Sequence, residues 1–153
     1  MSLTGQTAPD FTLFNTSKEP VTLSSLRGQK VVLSFYPAAF TGVCEAQACG
    51  FQSSLADLNG LNGTVLGISV DSPFANKAFA AKNDINYPLL SDFNRETVHA
   101  YSIPFENFAG MPGYVSANRA VFVVDESGTV IYEWIAPTLG TEPDYAAVQA
   151  ALG

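Results

Sequence analysis

The chain has 153 residues, of which 47% are hydrophobic and 14% are charged, and its formal net charge is −7. A chain of this length can bury a core of its own, so we expect one domain over residues 1–153. The acidic balance argues against nucleic acid as a partner, because nucleic acid attracts basic patches.

Membrane association is also not expected, since no apolar run approaches the roughly 20 residues that a membrane-spanning helix needs. The N-terminal segment MSLTGQTAPDF has neither the basic nor the apolar region of a secretory signal. We therefore expect a cytoplasmic location. In such a reducing compartment, two cysteines close in sequence are more often reactive or metal-binding than structural.

The first half of the chain predicts strands that alternate with helices. FTLFNT and PVTLSSL predict a short hairpin, and the apolar run at 31–36, ended by Pro37, predicts a central strand buried on both faces. A helix is predicted next, with Thr41 at its N-cap, an apolar face at residues 43, 46, 51, 55 and 58, and Asn-Gly at its end. TVLGISVD predicts a second strand.

The second half predicts a helix capped by Ser72, then YPLLSD as a short strand or loop, and then a short helix in NRETVHAYSI. Residues 104–118 predict a long loop, and RAVFVVDESGTVIYEWI predicts a β-hairpin. A final helix with Thr141 as its cap is expected in TEPDYAAVQAAL. This order predicts an α/β fold with a mixed central sheet and helices on both of its faces.

Cys44 and Cys49 are the only cysteines, and both fall in the predicted helix after the central strand. On one regular helix their Cα atoms would be rotated by about 140° and lie roughly 8–9 Å apart. That distance exceeds the limit of about 7 Å for a disulfide, so either the pair never bonds or the helix start must unwind. Gly42 and Gly50 bracket the pair, and each helical glycine costs about 0.5–1 kcal/mol relative to alanine. Unwinding here is therefore inexpensive.

The position of each thiol predicts its chemistry. Cys44 lies in the first helical turn, where the helix dipole and free N–H groups stabilise a thiolate, so we expect it to be the nucleophile. Cys49 lies deeper in the helix, and we expect it to be more buried, less reactive and the resolving thiol. Two cysteines and the distant His99 do not form the usual four-ligand zinc set, so no metal is expected. The C-x4-C spacing also differs from a thioredoxin-type C-x-x-C.

At this point the residues resemble a known family. PAAFTGVC is similar to the P-x-x-x-T-x-x-C signature of peroxiredoxins, with Pro37, Thr41 and Cys44 at the marked places. APDFTL, LLSDF and NRAVFVVDESGTV resemble other segments of the family, so the similarity spans nearly the whole chain. The second cysteine resembles the bacterioferritin-comigratory or Q-type subgroup, whereas SFYPAAFTGVC and the hairpin resemble the alkyl hydroperoxide reductase E type.

The resemblance implies a thioredoxin-like fold with an N-terminal β extension, and a thiol peroxidase that needs no cofactor. Cys44 would attack hydrogen peroxide or an organic hydroperoxide and become a sulfenic acid. Thr41 would orient the reactants, Arg119 would stabilise the thiolate and the peroxide oxygens, and Pro37 would shield the site. Cys49 would then form a disulfide, which thioredoxin or a similar dithiol would reduce. The family includes monomers and homodimers, so both remain open.

Two further features concern the site. Many members of the family carry Glu three residues after the reactive cysteine, whereas this chain has Gln47, which we interpret as tuning. Phe40 and Val43 are candidates for contact with the substrate at the pocket mouth.

Two other functions remain open: a redox relay that passes oxidation from Cys44 to a partner protein, and a general disulfide oxidoreductase. Structural interpretations also remain, with Cys44 as an inert core thiol, Cys49 as a small helix residue and Arg119 as a surface arginine.

Overall fold

The computed structural model describes residues 2–153. Its strands are β1 (Thr12–Phe14), β2 (Pro20–Thr22), β3 (Lys30–Phe35), β4 (Gly63–Ser69), β5 (Leu89–Ser91), β6 (Pro104–Phe105), β7 (Ser116–Ala117), β8 (Ala120–Val124) and β9 (Val130–Ile135). Its α-helices are α1 (Gly42–Ser53), α2 (Leu55–Gly60), α3 (Pro73–Asn83), α4 (Glu96–Ala100) and α5 (Tyr145–Leu152). Among the helices of residues 2–153, none has the length and apolar character needed to cross a bilayer.

The central sheet has seven strands in the order β2-β1-β5-β4-β3-β8-β9. Strands β3, β4 and β5 run parallel, as their helical connections require. Strand β8 joins β3 antiparallel and forms the predicted hairpin with β9. The N-terminal hairpin β1–β2 extends the other edge through β5. The predicted mixed sheet with an N-terminal β extension is confirmed.

Strand β3 supplies side chains to a core on each face of the sheet. Val31, Leu33 and Phe35 contact one buried cluster. Val32 contacts the other, which also contains Cys44, Ala48 and Phe51 of α1. Such a strand reads as a continuous apolar run rather than an alternating one, which is why its burial was predictable.

The helix after β3 differs from its prediction in two ways. It divides at Ser54 into α1 and α2, and its buried face consists of Cys44, Gln47, Ala48 and Phe51. These positions have the i, i+3, i+4, i+7 spacing of one helix face. Of the five apolar positions expected to form that face, those at 51 and 58 are fully buried. The face is rotated because Gln47, a polar residue, points inward.

Two other expectations are corrected. The long loop at 104–118 contains the short antiparallel pair β6–β7, whose two-residue strands are too brief to leave a sequence pattern. The last helix begins at Tyr145 and is capped by Asp144, whose carboxylate accepts from the N–H of Ala147 at 3.0 Å. Thr141, the predicted cap, lies outside this helix. Ser72 caps α3 as predicted.

Candidate active site

The site lies where β3 ends and α1 begins. Pro37 follows β3 directly and is buried. The chain then turns through Phe40, whose φ of +67° is in the left-handed region, and enters α1 after Thr41. Strand β8 pairs antiparallel with β3 and places Ala120 opposite Phe35, so this turn lies beside the start of β8.

Cys44 and Arg119 are brought together from distant parts of the chain. Arg119 precedes β8, the strand paired with β3, and its Nη1–H donates to Cys44 Sγ at 3.4 Å. Both residues are buried, with exposed fractions of 1% for Cys44 and 3% for Arg119. The Nε–H of the same guanidinium donates to the carbonyl of Leu139 at 2.9 Å. Arg119 is therefore held in one orientation, with one edge directed at the sulfur.

Gln47 joins this pair to the central strand. Its Oε1 accepts from Arg119 Nη1 at 2.7 Å, and its Nε2 donates to Ser34 Oγ at 2.7 Å and to the Phe35 carbonyl at 3.1 Å. Gln47 is 1% exposed, so each of these bonds satisfies a group removed from water. The carboxamide is suited to this place because it donates to the strand and accepts from the guanidinium at once.

No carboxylate pairs with Arg119 among residues 2–153, where the ion pair found is Lys82–Glu45. An arginine cannot lose its charge in a protein. A buried cation needs a compensating group, because isolated charge is costly in a low-dielectric interior. The nearest sulfur, that of Cys44, is suited to this role as a thiolate.

Thr41 occupies the N-cap position predicted for it, but its side chain does not cap the helix. Its backbone is extended and its carbonyl accepts from the N–H of Glu45 at 2.9 Å. Its hydroxyl instead donates backwards to the carbonyl of Ala38 at 2.8 Å. The expectation of a side-chain cap is therefore wrong, because the preceding turn offers the hydroxyl a carbonyl acceptor.

The two candidates for substrate contact flank the start of α1. Phe40 is 48% exposed and packs edge-to-face on Phe79 with ring centroids 5.4 Å apart. Lys82 Nζ lies 5.7 Å from the Phe40 ring centroid. Val43 lies half-buried in the first turn of α1. These positions leave an apolar rim on the exposed side of the turn that leads to Cys44.

The expectation that Cys49 is the more buried thiol is wrong. Cys49 is exposed, whereas Cys44 is buried, and both thiols are free. The reason is the rotation of about 140° between the two positions on a helix: once Cys44 faces the sheet, Cys49 faces outward. The sulfur of Cys49 lies 3.8 Å from Asn83 Oδ1 on α3.

Several contacts hold α1 in its helical form. Tyr87 Oη donates to the Ala48 carbonyl at 3.1 Å, and burial raises the pKa of Tyr87, so its hydroxyl keeps its proton. Tyr145 Oη lies 2.9 Å from Glu142 Oε1 and 3.3 Å from the Ala46 carbonyl. The Tyr145 ring occupies the space that a Cβ at Gly50 would need. A side chain at position 50 would therefore have to displace the Tyr145 ring from its contact with α1.

Sequence reasoning missed several members of the site. Gln47 was noticed only as a departure from a pattern, although its spacing of three from Cys44 is a signal for a shared helix face. No feature of the sequence indicated that Ser34 or the Leu139 carbonyl belongs to the site. A serine in a buried strand and a carbonyl in a loop become recognisable only when their partners are known.

Comparisons with known proteins agree with this geometry. Residues 4–133 match the model of the AhpC/TSA family. The chain is 40% identical to a peroxiredoxin bcp of Haemophilus influenzae over 128 residues, which cover 83% of this chain and 82% of that one. It is also 40% identical to alkyl hydroperoxide reductase E of Mycobacterium tuberculosis over 129 residues, 82% of this chain and 80% of the other.

Among solved structures, peroxidoxin BcpB from Mycobacterium tuberculosis superposes with a TM-score of 0.87 at 28% identity, over 99% of this chain and 97% of that one. The predicted thioredoxin-like α/β fold is confirmed by this likeness. The predicted resemblance to both the bacterioferritin-comigratory and the reductase E types is confirmed by the two relatives.

Proposed function

Since this chain belongs to the AhpC/TSA family and is a thiol-dependent hydroperoxide reductase, we propose that Cys44 attacks the peroxide and that Cys49 resolves the product. The observation that carries this assignment is the buried guanidinium of Arg119, whose Nη1 lies 3.4 Å from Cys44 Sγ. A neighbouring cation stabilises the thiolate, which is the nucleophilic form of cysteine. Cys49 has no such neighbour within its described contacts, where it meets the neutral Asn83.

The first step is displacement at oxygen. The Cys44 thiolate attacks one peroxide oxygen, so that an S–O bond forms while the O–O bond breaks. The sulfur is oxidised to a sulfenic acid, and the peroxide is reduced to an alkoxide or hydroxide that takes up a proton. Negative charge moves onto the two oxygens during this step. Arg119 is held by Leu139 and Gln47, so it supplies fixed donors to that charge without reorganisation.

Pro37, Thr41, Phe40 and Val43 define the approach to the sulfur in this proposal. Buried Pro37 closes one side and excludes water. Thr41 has donated its hydrogen to the Ala38 carbonyl, so its oxygen is left to accept a hydrogen bond from the peroxide O–H. Phe40 and Val43 offer apolar contact to an alkyl group, which is compatible with organic hydroperoxides as well as hydrogen peroxide.

The second step joins the two sulfurs. The Cys49 thiol condenses with the Cys44 sulfenic acid, forming the disulfide and releasing water. Both residues lie in the regular helix α1 on different faces, where their Cα atoms are too far apart for this bond. The first turns of α1 therefore unwind before the disulfide forms.

An external dithiol closes the cycle by thiol–disulfide exchange. Thioredoxin or a similar dithiol protein is the reductant that we propose. The exposure of Cys49 supports this step, because an incoming thiolate needs access to one sulfur. A cytoplasmic location would supply such dithiols continuously.

The test is steady-state peroxide consumption with thioredoxin and its reductase, in the wild type and in Cys44→Ser. Wild-type turnover with no turnover in Cys44→Ser is the expected result. Peroxide consumption by Cys44→Ser near the wild-type rate would exclude the assignment. Single-turnover oxidation without regeneration would favour the relay function instead.

A further inference from the structure

We propose that Asp71 is a positioning residue for Thr41, acting through the single peptide group that joins Ala38 to Ala39. The inference rests on the proposed role of Thr41 in orienting the peroxide. Asp71 follows β4, the strand parallel to β3, so it lies at the same edge of the sheet as the turn before α1.

The geometry is a chain of two hydrogen bonds through one rigid unit. Asp71 Oδ2 accepts from the N–H of Ala39 at 2.8 Å. The carbonyl of Ala38, which belongs to the same peptide group, accepts from Thr41 Oγ1 at 2.8 Å. A peptide group is planar, so fixing its N–H also fixes the direction of its carbonyl. Asp71 thereby sets where the Thr41 hydroxyl is held.

Asp71 is itself fixed by buried serines. Ser69 Oγ donates to Asp71 Oδ2 at 2.8 Å and accepts from the Asp71 N–H at 3.2 Å. Ser91 Oγ donates to the Asp71 carbonyl. Ser69 and Ser91 are 0% and 1% exposed. The Ser69 hydroxyl holds the carboxylate itself, and the other two bonds hold the Asp71 backbone, so the residue has little freedom to follow a moving turn and acts as an anchor.

The same network reaches the other end of the turn. Tyr36 is the last residue before Pro37, and its hydroxyl donates to Asn76 Oδ1 at 2.7 Å. Asn76 Oδ1 also lies 3.3 Å from Ser69 Oγ. Tyr36 and Asn76 are 3% and 0% exposed. The turn is thus held at its beginning and in its middle by one connected set of buried groups.

The carboxylate of Asp71 accepts a stronger hydrogen bond from the Ala39 N–H than a neutral acceptor would. A hydrogen bond to an ionised acceptor is stronger than one between neutral groups, and it polarises the peptide that donates it. The Ala38 carbonyl then becomes a better acceptor for Thr41. The Thr41 hydroxyl donates its hydrogen to that carbonyl, and the hydroxyl oxygen is directed towards the site.

The test is a double-mutant cycle between Asp71 and Thr41, with two rates measured for each variant. The first rate is the oxidation of Cys44 by hydrogen peroxide, followed by mass spectrometry of quenched samples. The second is alkylation of Cys44 by iodoacetamide, which needs the thiolate but no oriented peroxide. The variants are Asp71→Ala, Asp71→Asn, Thr41→Val and the two double variants. Asp57→Ala, an exposed aspartate of α2, is the matched control.

We expect Asp71→Ala to slow oxidation by about tenfold, the loss typical of one charge-assisted hydrogen bond, with alkylation changed far less. Asp71→Asn keeps an oxygen for the Ala39 N–H, so its loss should be smaller, about two- to fivefold. Both losses should vanish when Thr41 is already valine, because coupled residues are not additive. If Asp71→Ala does not fold, the asparagine variant carries the same comparison.

Three results would overturn the inference. The oxidation rate could fall equally with and without the Thr41 hydroxyl, the oxidation and alkylation rates could fall equally, or neither Asp71 variant could be slower than the wild type. Thr41→Val with a wild-type oxidation rate would overturn it together with the proposed role of Thr41. Loss in Thr41→Val but not in the Asp71 variants would overturn the inference alone. The assignment of Cys44 is tested separately by Cys44→Ser.

Discussion

Arg119 Nη1 lies 3.4 Å from Cys44 Sγ although the two residues are 75 positions apart in the chain. One precedes β8 and the other lies in the first turn of α1, and the pairing of β8 with β3 brings them together. The guanidinium is buried and has no carboxylate partner among residues 2–153. The contact between Arg119 and Cys44 is therefore a product of the sheet topology as much as of the helix start.

Arg119→Met should lower the rate of Cys44 oxidation by about 10²–10³, the range measured when one fixed donor to a developing anion is removed. Arg119→Lys should recover part of the rate, because lysine keeps the charge but cannot bond the sulfur, Gln47 and Leu139 together. Stopped-flow oxidation by hydrogen peroxide measures both.

Arg27→Met, at an exposed arginine, is the control and should keep the wild-type rate. An Arg119→Met variant that folds and oxidises as fast as the wild type would remove Arg119 from the mechanism.

Gln47→Leu should affect both stability and rate. The substitution leaves the Phe35 carbonyl without its Nε2 donor and Arg119 without its carboxamide acceptor. Such losses cost about 1–3 kcal/mol, which corresponds to a fall in Tm of roughly 2–12 °C for a protein of this size. Thermal unfolding and the oxidation rate are measured on the same samples.

Gln52→Leu is the matched control for Gln47→Leu. Gln52 also lies on α1 and accepts from a backbone N–H, that of Asn86, at 2.7 Å. It should lose stability but keep the oxidation rate per folded molecule. Equal rates in both variants would show that Gln47 serves stability alone.

The sequence predicted the architecture well because its strongest patterns are local. The apolar run of β3, the β8–β9 hairpin and the Ser72 cap of α3 are each decided by neighbouring residues. The exposure of Cys49 was not predictable in the same way. Apolar residues occur on more than one face of α1. The tertiary packing buries the face that contains Cys44 and Gln47.

The hydrogen-bond partners of Arg119 were also not predictable from local sequence. Resemblance to a family placed Arg119 near Cys44, but the Leu139 carbonyl that orients it comes from the segment between β9 and α5. The Thr41 hydroxyl was likewise expected to cap α1, which would make it accept from an N–H of the first helical turn, whereas it donates to the Ala38 carbonyl in the turn before the helix. Long-range hydrogen bonds of this kind depend on the whole fold, so no window of sequence contains them.

Tyr87→Phe should accelerate disulfide formation after oxidation. Tyr87 Oη donates to the Ala48 carbonyl, which lies between the two cysteines on α1, and unwinding breaks this bond. Its removal weakens the helical form by about 0.5–1.5 kcal/mol, so amide exchange in residues 42–50 and the rate of disulfide formation should rise about two- to tenfold.

Tyr132→Phe, which removes a hydroxyl from β9, is the control for that experiment and should change neither rate. Unchanged exchange in α1 together with a normal disulfide rate in Tyr87→Phe would argue against unwinding as the step that joins the sulfurs.

The Glu45–Lys82 ion pair should make a pH-dependent contribution to the free energy of unfolding. The hydrogen bond from Lys82, at 2.8 Å, lowers the pKa of Glu45 below its ordinary value of 4.5. Because the folded-state pKa is lowered, the contribution is present above the unfolded value and is lost as the pH falls through the folded value.

The difference in Tm between the wild type and Lys82→Gln should therefore be small at neutral pH and vanish in acid. Its magnitude is limited because the pair is exposed and screened. Lys77→Gln, on the exposed face of α3, should show no such loss. A difference that grows as the pH falls below 4.5 would have the wrong sign for this pair.

The central claim is that Cys44 is oxidised first and Cys49 second. Mass spectrometry after one equivalent of hydrogen peroxide tests it directly in the wild type, Cys49→Ser and Cys44→Ser. The wild type should lose two hydrogens as a disulfide, Cys49→Ser should gain one oxygen on Cys44, and Cys44→Ser should remain unmodified. Oxygen found on Cys49 in the Cys44→Ser protein, at the rate of wild-type oxidation, would contradict the account.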